Sequence, residues 1–367
     1  MKINNSGATF SSIVGIGQKI SKTEKETGDT FLPLNRGVNN VCLIDLQNIV
    51  DNIPYNSKEI QHYAPNLGIE KLRRSISEEY YLQDYNDVCI TPGGMSSLDL
   101  IIQILNVTDV KMHKFYWGSY SKMCTIRNKS FSFYDNLYTL DFNNLNSDTA
   151  IIICEPSNPT GLQDYDDKEL LDIIKKINET GAIVIFDSPY RMLFDNSTYI
   201  YDVLSSLENV IICESFSKHI GLSGIRLGFI YCNNKEFNQE LNIRVLYQFN
   251  GISTIPQLLV NELLTTEEGY RVIKNFRDET VKHIQLNIEY LKENNLLAEE
   301  IYGDKLPIGI FAIVNKTEEF LFQNKIGSVG LEKFTFHDKD YWNKYSRICV
   351  SVPHDTFKEF FNKIIKC

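Results

Sequence analysis

No apolar run in the 367-residue chain approaches the roughly 18 residues that a membrane-spanning helix needs, so a soluble protein is expected. The apolar stretch near the N-terminus is broken by Ser11, Ser12, Gly15 and Gly17 and lacks the continuous core of a secretory signal. A C-terminal prenylation box is not expected either, because Cys367 is the final residue. Basic clusters are also missing. With 37 Lys and Arg against 47 Asp and Glu, the net charge is −10, which repels phosphate backbones and acidic headgroups and speaks against nucleic acid and membranes as partners. The eight cysteines form no C-x-x-C pair, and several sit inside apolar runs as reduced thiols do, so a cytoplasmic setting is expected. The six histidines, at 62, 113, 219, 283, 337 and 354, show no ligand spacing, and no metal is expected. No internal repeat, low-complexity tract or Gly/Ser linker interrupts the chain.

What is present is a large globular composition, 43% hydrophobic and 23% charged, long enough for one large body with a smaller lobe. Between residues 88 and 232 short apolar runs alternate with helix-like stretches, the pattern of an α/β fold with a mostly parallel sheet covered by helices on both faces. Strands are expected at Ala150 to Cys154, Ala182 to Phe186, Asn209 to Cys213 and Leu227 to Cys232, each short and mostly rich in Ile and Val. Asp167 to Asn178 spaces Leu170, Leu171, Ile174 and Ile177 at helical intervals and stops before Gly181, which makes it a crossover helix. Gln257 to Asn295 carries a long helical periodicity that links two lobes. Strands at Ile308 to Asn315 and Ser346 to Val352 and a helix from Asp355 to Lys366 complete a smaller α+β lobe. The expected division is residues 1–40 as an N-terminal segment of the small domain, 41–275 as the large domain and 276–367 as the small C-terminal domain.

Ligands of open α/β sheets bind beyond the carboxyl ends of the strands, and there the sequence is polar and specific. EPSNPTG holds Asn158, DSPY holds Asp187 and Tyr190, and ESFSKHIGLSGIRLGF holds Ser215, Ser217, Lys218 and Arg226. Upstream, TPGGMSSLDL puts Gly93 and Gly94 where a turn enters a helix whose free N–H groups suit a phosphate. Each feature alone has an ordinary explanation: a turn cap for Asp187, a solvated amine for Lys218, an ion-pair residue for Arg226, a packing ring for Trp117 or Tyr63. Together they supply an imine-forming lysine, an acid, a phenol and an amide for an aromatic ring, and a phosphate cup.

In that combination, from about Gly28 to the C-terminus, the sequence resembles the class I and II aminotransferases of the type I pyridoxal-phosphate fold. The resemblance implies a three-layer α/β/α large domain, a smaller α+β domain, and pyridoxal 5′-phosphate held by Lys218 as a Schiff base. It implies that Asp187 keeps the pyridine nitrogen protonated, that Tyr190 and Asn158 donate to the ring O3′, and that Trp117, in FYWGSY, stacks on the ring. Arg226, Ser215, Gly94 and Met95, with Ser217 as a weaker member, match the phosphate cup. Tyr63, in HYAPNLGIEKLR, matches a residue that reaches across a homodimer interface. Arg347, in YSRICVSV, matches the arginine that takes the substrate carboxylate, with Asn158 beside it. NRGVNN, from Asn35 to Asn40, falls where the family's N-terminal segment closes over substrate, without a role for any one side chain. The expected activity is amino transfer between an amino acid and a 2-oxo acid. The same cofactor also supports decarboxylation, elimination, cyclisation or oxidation of an amino acid.

Three other readings fit less well. Ser215 to Lys218 satisfies S-x-x-K of acyl enzymes, but neither S-D-N nor K-T-G occurs. Gly15-Ile16-Gly17 lacks the third glycine of a dinucleotide turn. A transcriptional sensor built on the same domain needs a DNA-binding domain, for which the first 40 residues are too short. The side-chain pocket is open between the N-terminal segment and the aromatic stretch from Phe334 to Trp342.

Overall fold

A computed structural model describes residues 1–194 and 198–365. Among the described residues twelve strands run in chain order: β1 Leu32–Pro33, β2 Val88–Thr91, β3 Asp109–His113, β4 Ser130–Tyr134, β5 Thr149–Ile153, β6 Ile183–Asp187, β7 Val210–Ser215, β8 Gly228–Cys232, β9 Phe311–Val314, β10 Ile326–Gly327, β11 Val329–Gly330 and β12 Ser346–Cys349. Seven of them form the main sheet in the order β2-β8-β7-β6-β5-β3-β4. Its neighbours are parallel except at β8, which runs antiparallel to both β2 and β7. The central strands β5, β7 and β8 are buried at every residue, as β-branched and aromatic strands covered on both faces should be.

The crossover helix forms at Asp167–Glu179. Asp166 and Glu169 close a capping box at its start: Glu169 N–H donates to Asp166 Oδ1 at 2.8 Å and Asp166 N–H to Glu169 Oε2 at 3.2 Å. Its face of Leu170, Leu171, Ile173, Ile174 and Ile177 is buried. Parallel connections of this kind align the carboxyl ends of β5, β6 and β7 on one edge of the sheet, and Asn158, Asp187 and Lys218 stand at or just beyond that edge.

The helical stretch expected from Gln257 to Asn295 is two helices, Thr254–Thr265 and Glu267–Glu293. Thr266 between them is extended (φ −106°, ψ 149°), and its side chain caps the second helix by accepting Gly269 N–H at 3.0 Å. The break lets the second helix fold back so tightly that a Cβ on Gly269 would lie 2.4 Å from the Leu263 carbonyl oxygen. This second helix runs through residue 275 without a break. The strands expected at Ile308 to Asn315 and Ser346 to Val352 are shorter, the bounds of β9 and β12. The final helix is His354–Ile365; Lys366, its expected end, lies outside the described residues.

β9, β11 and β12 make a small antiparallel sheet, and β1 pairs in parallel with β10. Leu32 and Leu34 from the N-terminal segment pack in one cluster with Phe311, Ile326, Ile348 and Phe357. Among the described residues no helix is long and apolar enough to cross a membrane.

Candidate active site

Eleven of the twelve site residues expected from the sequence line a single cavity of about 390 Å³ where the carboxyl ends of the strands meet the N-terminal segment and the small sheet. Tyr63 is the exception: it is 86% exposed and does not border the cavity.

One end of the cavity is a cradle of donors. Gly93 (φ 92°) precedes the Gly94–Ile104 helix, whose first N–H groups have no carbonyl one turn behind them. Ser215 ends β7 and accepts Ser217 N–H at 3.3 Å, while its own hydroxyl donates to Ser217 Oγ at 3.0 Å. Arg226 takes a left-handed backbone (φ 54°) and fixes its guanidinium on the Ser223 carbonyl at 2.9 Å. The glycines here are sites of close approach. A Cβ on Gly93 would lie 2.8 Å from Arg226 Nη2, and one on Gly228 would lie 2.5 Å from the Glu214 carbonyl oxygen and 3.1 Å from Gly93 Cα. Side chains at these positions would fill the cradle or push the turn off the strand end.

Asp187 ends β6 and is 4% exposed. Burial pushes its carboxyl up to about 7, against the opposing hydrogen bond from Tyr120, whose hydroxyl donates to Oδ2 at 2.5 Å. Tyr120 was not singled out from the sequence, although it lies three residues after Trp117 in the same FYWGSY motif. Trp117 meets it edge-on at 5.5 Å between ring centroids and forms part of the cavity wall.

Lys218 lies in the short Phe216–His219 helix that follows β7, and its amine donates to the Gly37 carbonyl. Burial, aided by the positive charges of Arg347 and Arg226, brings that amine down to about 8. A nucleophilic amine is therefore available near neutral pH. Tyr190 is buried, its hydroxyl pushed well above the ordinary phenol range by desolvation, and it accepts Asn158 Nδ2–H at 3.3 Å.

Asn158 also accepts Arg347 Nη1–H at 3.1 Å, and Arg347 Nη2 donates to the Asn35 carbonyl at 2.5 Å. Arg347 is 1% exposed, and its guanidinium lies between Phe311 and Phe334, with ring centroids at 4.2 and 4.7 Å. Burial lowers it to about 10, which still leaves it charged at neutral pH. Its Nε has no protein partner. A buried cation with a donor to spare is suited to a carboxylate. The aromatic stretch from Phe334 to Trp342 does not line the cavity. Phe334 packs on Arg347 instead, Phe336 stacks on Phe133, and Trp342 meets Phe115 edge-on.

These residues fit pyridoxal 5′-phosphate. Arg226, Ser215, Ser217 and the start of the Gly94–Ile104 helix would hold its phosphate, and Trp117 its ring. The cationic ring nitrogen would supply the partner that buried Asp187 lacks, since its hydrogen-bond partner is the neutral Tyr120 phenol.

The family model for aminotransferase class I and II matches residues 33–364, all but the first 32 and last three residues. A histidinol-phosphate aminotransferase of Flavobacterium psychrophilum is 26% identical over 248 residues, covering 65% of this chain and 69% of that protein. An aspartate aminotransferase of Pyrococcus horikoshii is 26% identical over 250 residues, covering 63% of each. A histidinol-phosphate aminotransferase of Thermoanaerobacter pseudethanolicus is 30% identical over 134 residues, so that only 36% of that protein's length is spanned. Among solved structures, aspartate aminotransferase of Thermus thermophilus with maleate superposes at a TM-score of 0.84 over 100% of both chains, at 18% identity. The structural likeness speaks for the fold and the sequence match for descent. By the second, across nearly its whole length, the chain belongs to the class I and II aminotransferases, a family of pyridoxal-phosphate-dependent transferases.

Proposed function

We propose that the protein transfers an amino group between an amino acid and a 2-oxo acid, using pyridoxal 5′-phosphate. The observation that carries this reading is that three groups line one cavity: the Lys218 amine, the buried Asp187 carboxyl and the buried Arg347 guanidinium. When bound, the cofactor supplies a carbonyl carbon that exchanges one amine for another and a protonated ring that draws electrons from the substrate Cα.

The chain's own residues do the rest. Arg347, held by Asn158 and the Asn35 carbonyl, takes the α-carboxylate of the substrate. A carboxylate so anchored is retained, and the Cα–H is presented as the bond to break. Lys218, with an amine near pH 8, takes the proton from Cα and returns it to the neighbouring carbon. Asp187 would hold the ring nitrogen of the bound cofactor, and Tyr190 and Asn158 would share the hydrogen bonds of its ring hydroxyl. Tyr63, exposed in the single chain, acts from the second subunit of a homodimer. A cytoplasmic enzyme of amino acid biosynthesis, with residues 41–275 as the cofactor-binding domain and 1–40 joined to 276–367, is part of this reading.

The test is to mix the purified protein and cofactor with an isotopically nitrogen-labelled amino acid and an unlabelled 2-oxo acid. Label is expected in the newly formed amino acid. Release of carbon dioxide or free ammonia in its place, with no labelled amino acid, overturns amino transfer.

A further inference from the structure

The turn that carries Lys218 is held from outside the cavity. After the short Phe216–His219 helix, Gly221 N–H donates to the Lys218 carbonyl at 3.2 Å and Leu222 N–H to the Phe216 carbonyl at 3.3 Å. The His219 carbonyl, which ends the helix, accepts Arg277 Nε–H at 3.1 Å. A guanidinium placed there both satisfies a terminal carbonyl and meets the negative end of the helical peptide dipoles. The His219 side chain is fully buried, with Nε2 3.2 Å from the Tyr80 hydroxyl. Two residues on, Gly221 takes φ 68°, and a Cβ on it would lie 2.5 Å from Cζ of Phe276. A glycine is what lets that ring press against the turn.

Phe276 and Arg277 are neighbours on the Glu267–Glu293 helix, and Thr280 lies one turn further along the same face. Thr280 Oγ1 accepts Asn39 Nδ2–H at 2.6 Å. The Oδ1 of Asn39 accepts Val41 N–H at 2.8 Å and the Ser351 hydroxyl at 3.0 Å. Asn39 stands two residues beyond Gly37, whose carbonyl accepts the Lys218 amine. One helix face therefore holds both ends of that contact: the turn in which Lys218 lies and the segment its amine reaches. A lysine stem is flexible, so the place of its amine depends on these two supports. Phe276, Arg277 and Thr280 do not line the cavity and touch no ligand there.

We propose that Arg277 is a positioning residue for Lys218: its grip on the His219 carbonyl sets where the amine stands when it takes the substrate Cα proton and returns it. The inference rests on the role given to Lys218 above. A misplacement of about 1 Å can cost about 100-fold in rate, so a clamp behind the cavity is enough to govern the step.

The test uses the full chain as wild type, Arg277→Gln and Arg277→Lys. In the cofactor-free protein, amide hydrogen exchange at Gly221 and Leu222 is expected to quicken about tenfold or more in Arg277→Gln, with β5, β6 and β7 unchanged. In protein loaded with pyridoxal 5′-phosphate, proton NMR in heavy water follows Cα hydrogen exchange of the standard L-amino acids, and amino transfer to 2-oxoglutarate follows turnover. Both rates are expressed per site at which borohydride fixes the cofactor to residue 218. Arg277→Gln is expected to lower Cα exchange and kcat about tenfold or more, while KM and cofactor affinity stay within about threefold. Arg277→Lys keeps the charge and a donor but not the planar fork, and is expected to fall between.

A merely stabilising arginine would reduce the number of trapped sites and leave the rate at each one unchanged. That result, in whichever variant folds, overturns the inference, as does unchanged amide exchange at Gly221 and Leu222 or a loss that falls on KM alone. A wild type that exchanges Cα hydrogens but transfers no amino group overturns the amino-transfer reading, and slower exchange in Arg277→Gln then still supports the positioning role. A wild type that exchanges none of them overturns both.

Discussion

Tyr120 donates its hydroxyl to Oδ2 of Asp187 at 2.5 Å, across 67 residues of sequence, and so reaches the one carboxylate of the cavity. A hydrogen bond to an ionised group is worth about 1.5–3 kcal/mol, which corresponds to roughly one to two pH units in the acidity of the acceptor. Tyr120→Phe is therefore expected to move Asp187 upward from about 7 in the cofactor-free protein, as followed by infrared titration of its carboxyl band. In the loaded enzyme the same change is expected to lower kcat about tenfold, because the more basic carboxylate then competes with the ring nitrogen for the proton between them. An unmoved carboxyl band would remove Tyr120 from this role.

Lys218 is tuned in the opposite sense, from the ordinary lysine range down to about 8, chiefly by burial. Its neutral, nucleophilic fraction rises with pH through that value, where it is one half, and levels off about one to two pH units above it. The rate at which the protein captures pyridoxal 5′-phosphate is expected to follow the same curve, with its midpoint near pH 8. Borohydride reduction followed by peptide mapping is expected to find the label on residue 218, and Lys218→Ala to take up none there. A capture rate still rising steeply above pH 9 would point to an ordinary solvated amine.

These two residues were not equally legible in the sequence. Lys218, Asp187 and Asn158 follow short strands rich in Ile and Val, so their place at the sheet's carboxyl edge follows from local pattern alone. Tyr120 acts through a contact made by packing the Ser119–Ile126 helix against the sheet, and nothing in its neighbourhood along the chain announces the partner. The break at Thr266 was hidden because the helical periodicity continues on both sides of it. The Phe334–Trp342 aromatics look the same in composition whether they line a pocket or pack beneath an arginine. Only the fold assigns Phe334 to Arg347.

Arg347 is expected to act on substrate binding more than on the cofactor. Its Nη atoms are spoken for by Asn158 and Asn35, and Nε has no protein partner, so the guanidinium is already oriented when substrate arrives. Breaking a buried charged pair costs about 2–5 kcal/mol, so Arg347→Gln should raise KM for amino acids by at least about thirtyfold. Amines that lack the carboxylate should change far less. Cofactor affinity, measured by equilibrium dialysis, should stay within about threefold. A uniform loss across acids and simple amines would instead indicate a folding defect.

Glu214 links the two strand ends beneath the cavity, because its fully buried carboxyl accepts from Ser188 Oγ, from the Tyr201 hydroxyl and, at 3.3 Å, from Ser215 N–H. Ser188 adjoins Asp187, and Ser215 belongs to the phosphate cradle, so one acid holds both halves of the site in register. Burial pushes Glu214 up to about 8, partly offset by those three hydrogen bonds. A carboxyl whose folded pKa is raised contributes stability that is complete below its unfolded value, near 4.5, and is lost as pH climbs through about 8. Wild type and Glu214→Gln should therefore differ in a pH-dependent way. Between pH 5 and 8 the unfolding free energy of the wild type should fall relative to the variant by an amount on the order of a few kcal/mol, since the amide cannot ionise. Urea unfolding of both proteins at matched pH measures the difference, and the comparison cancels the titration of every group the two proteins share. Parallel stability curves would mean that Glu214 titrates as an ordinary carboxylate despite its burial. A variant that matches the wild type at pH 8 yet binds pyridoxal 5′-phosphate more weakly would separate the two roles, leaving Glu214 to align Asp187 with Ser215 independently of its charge.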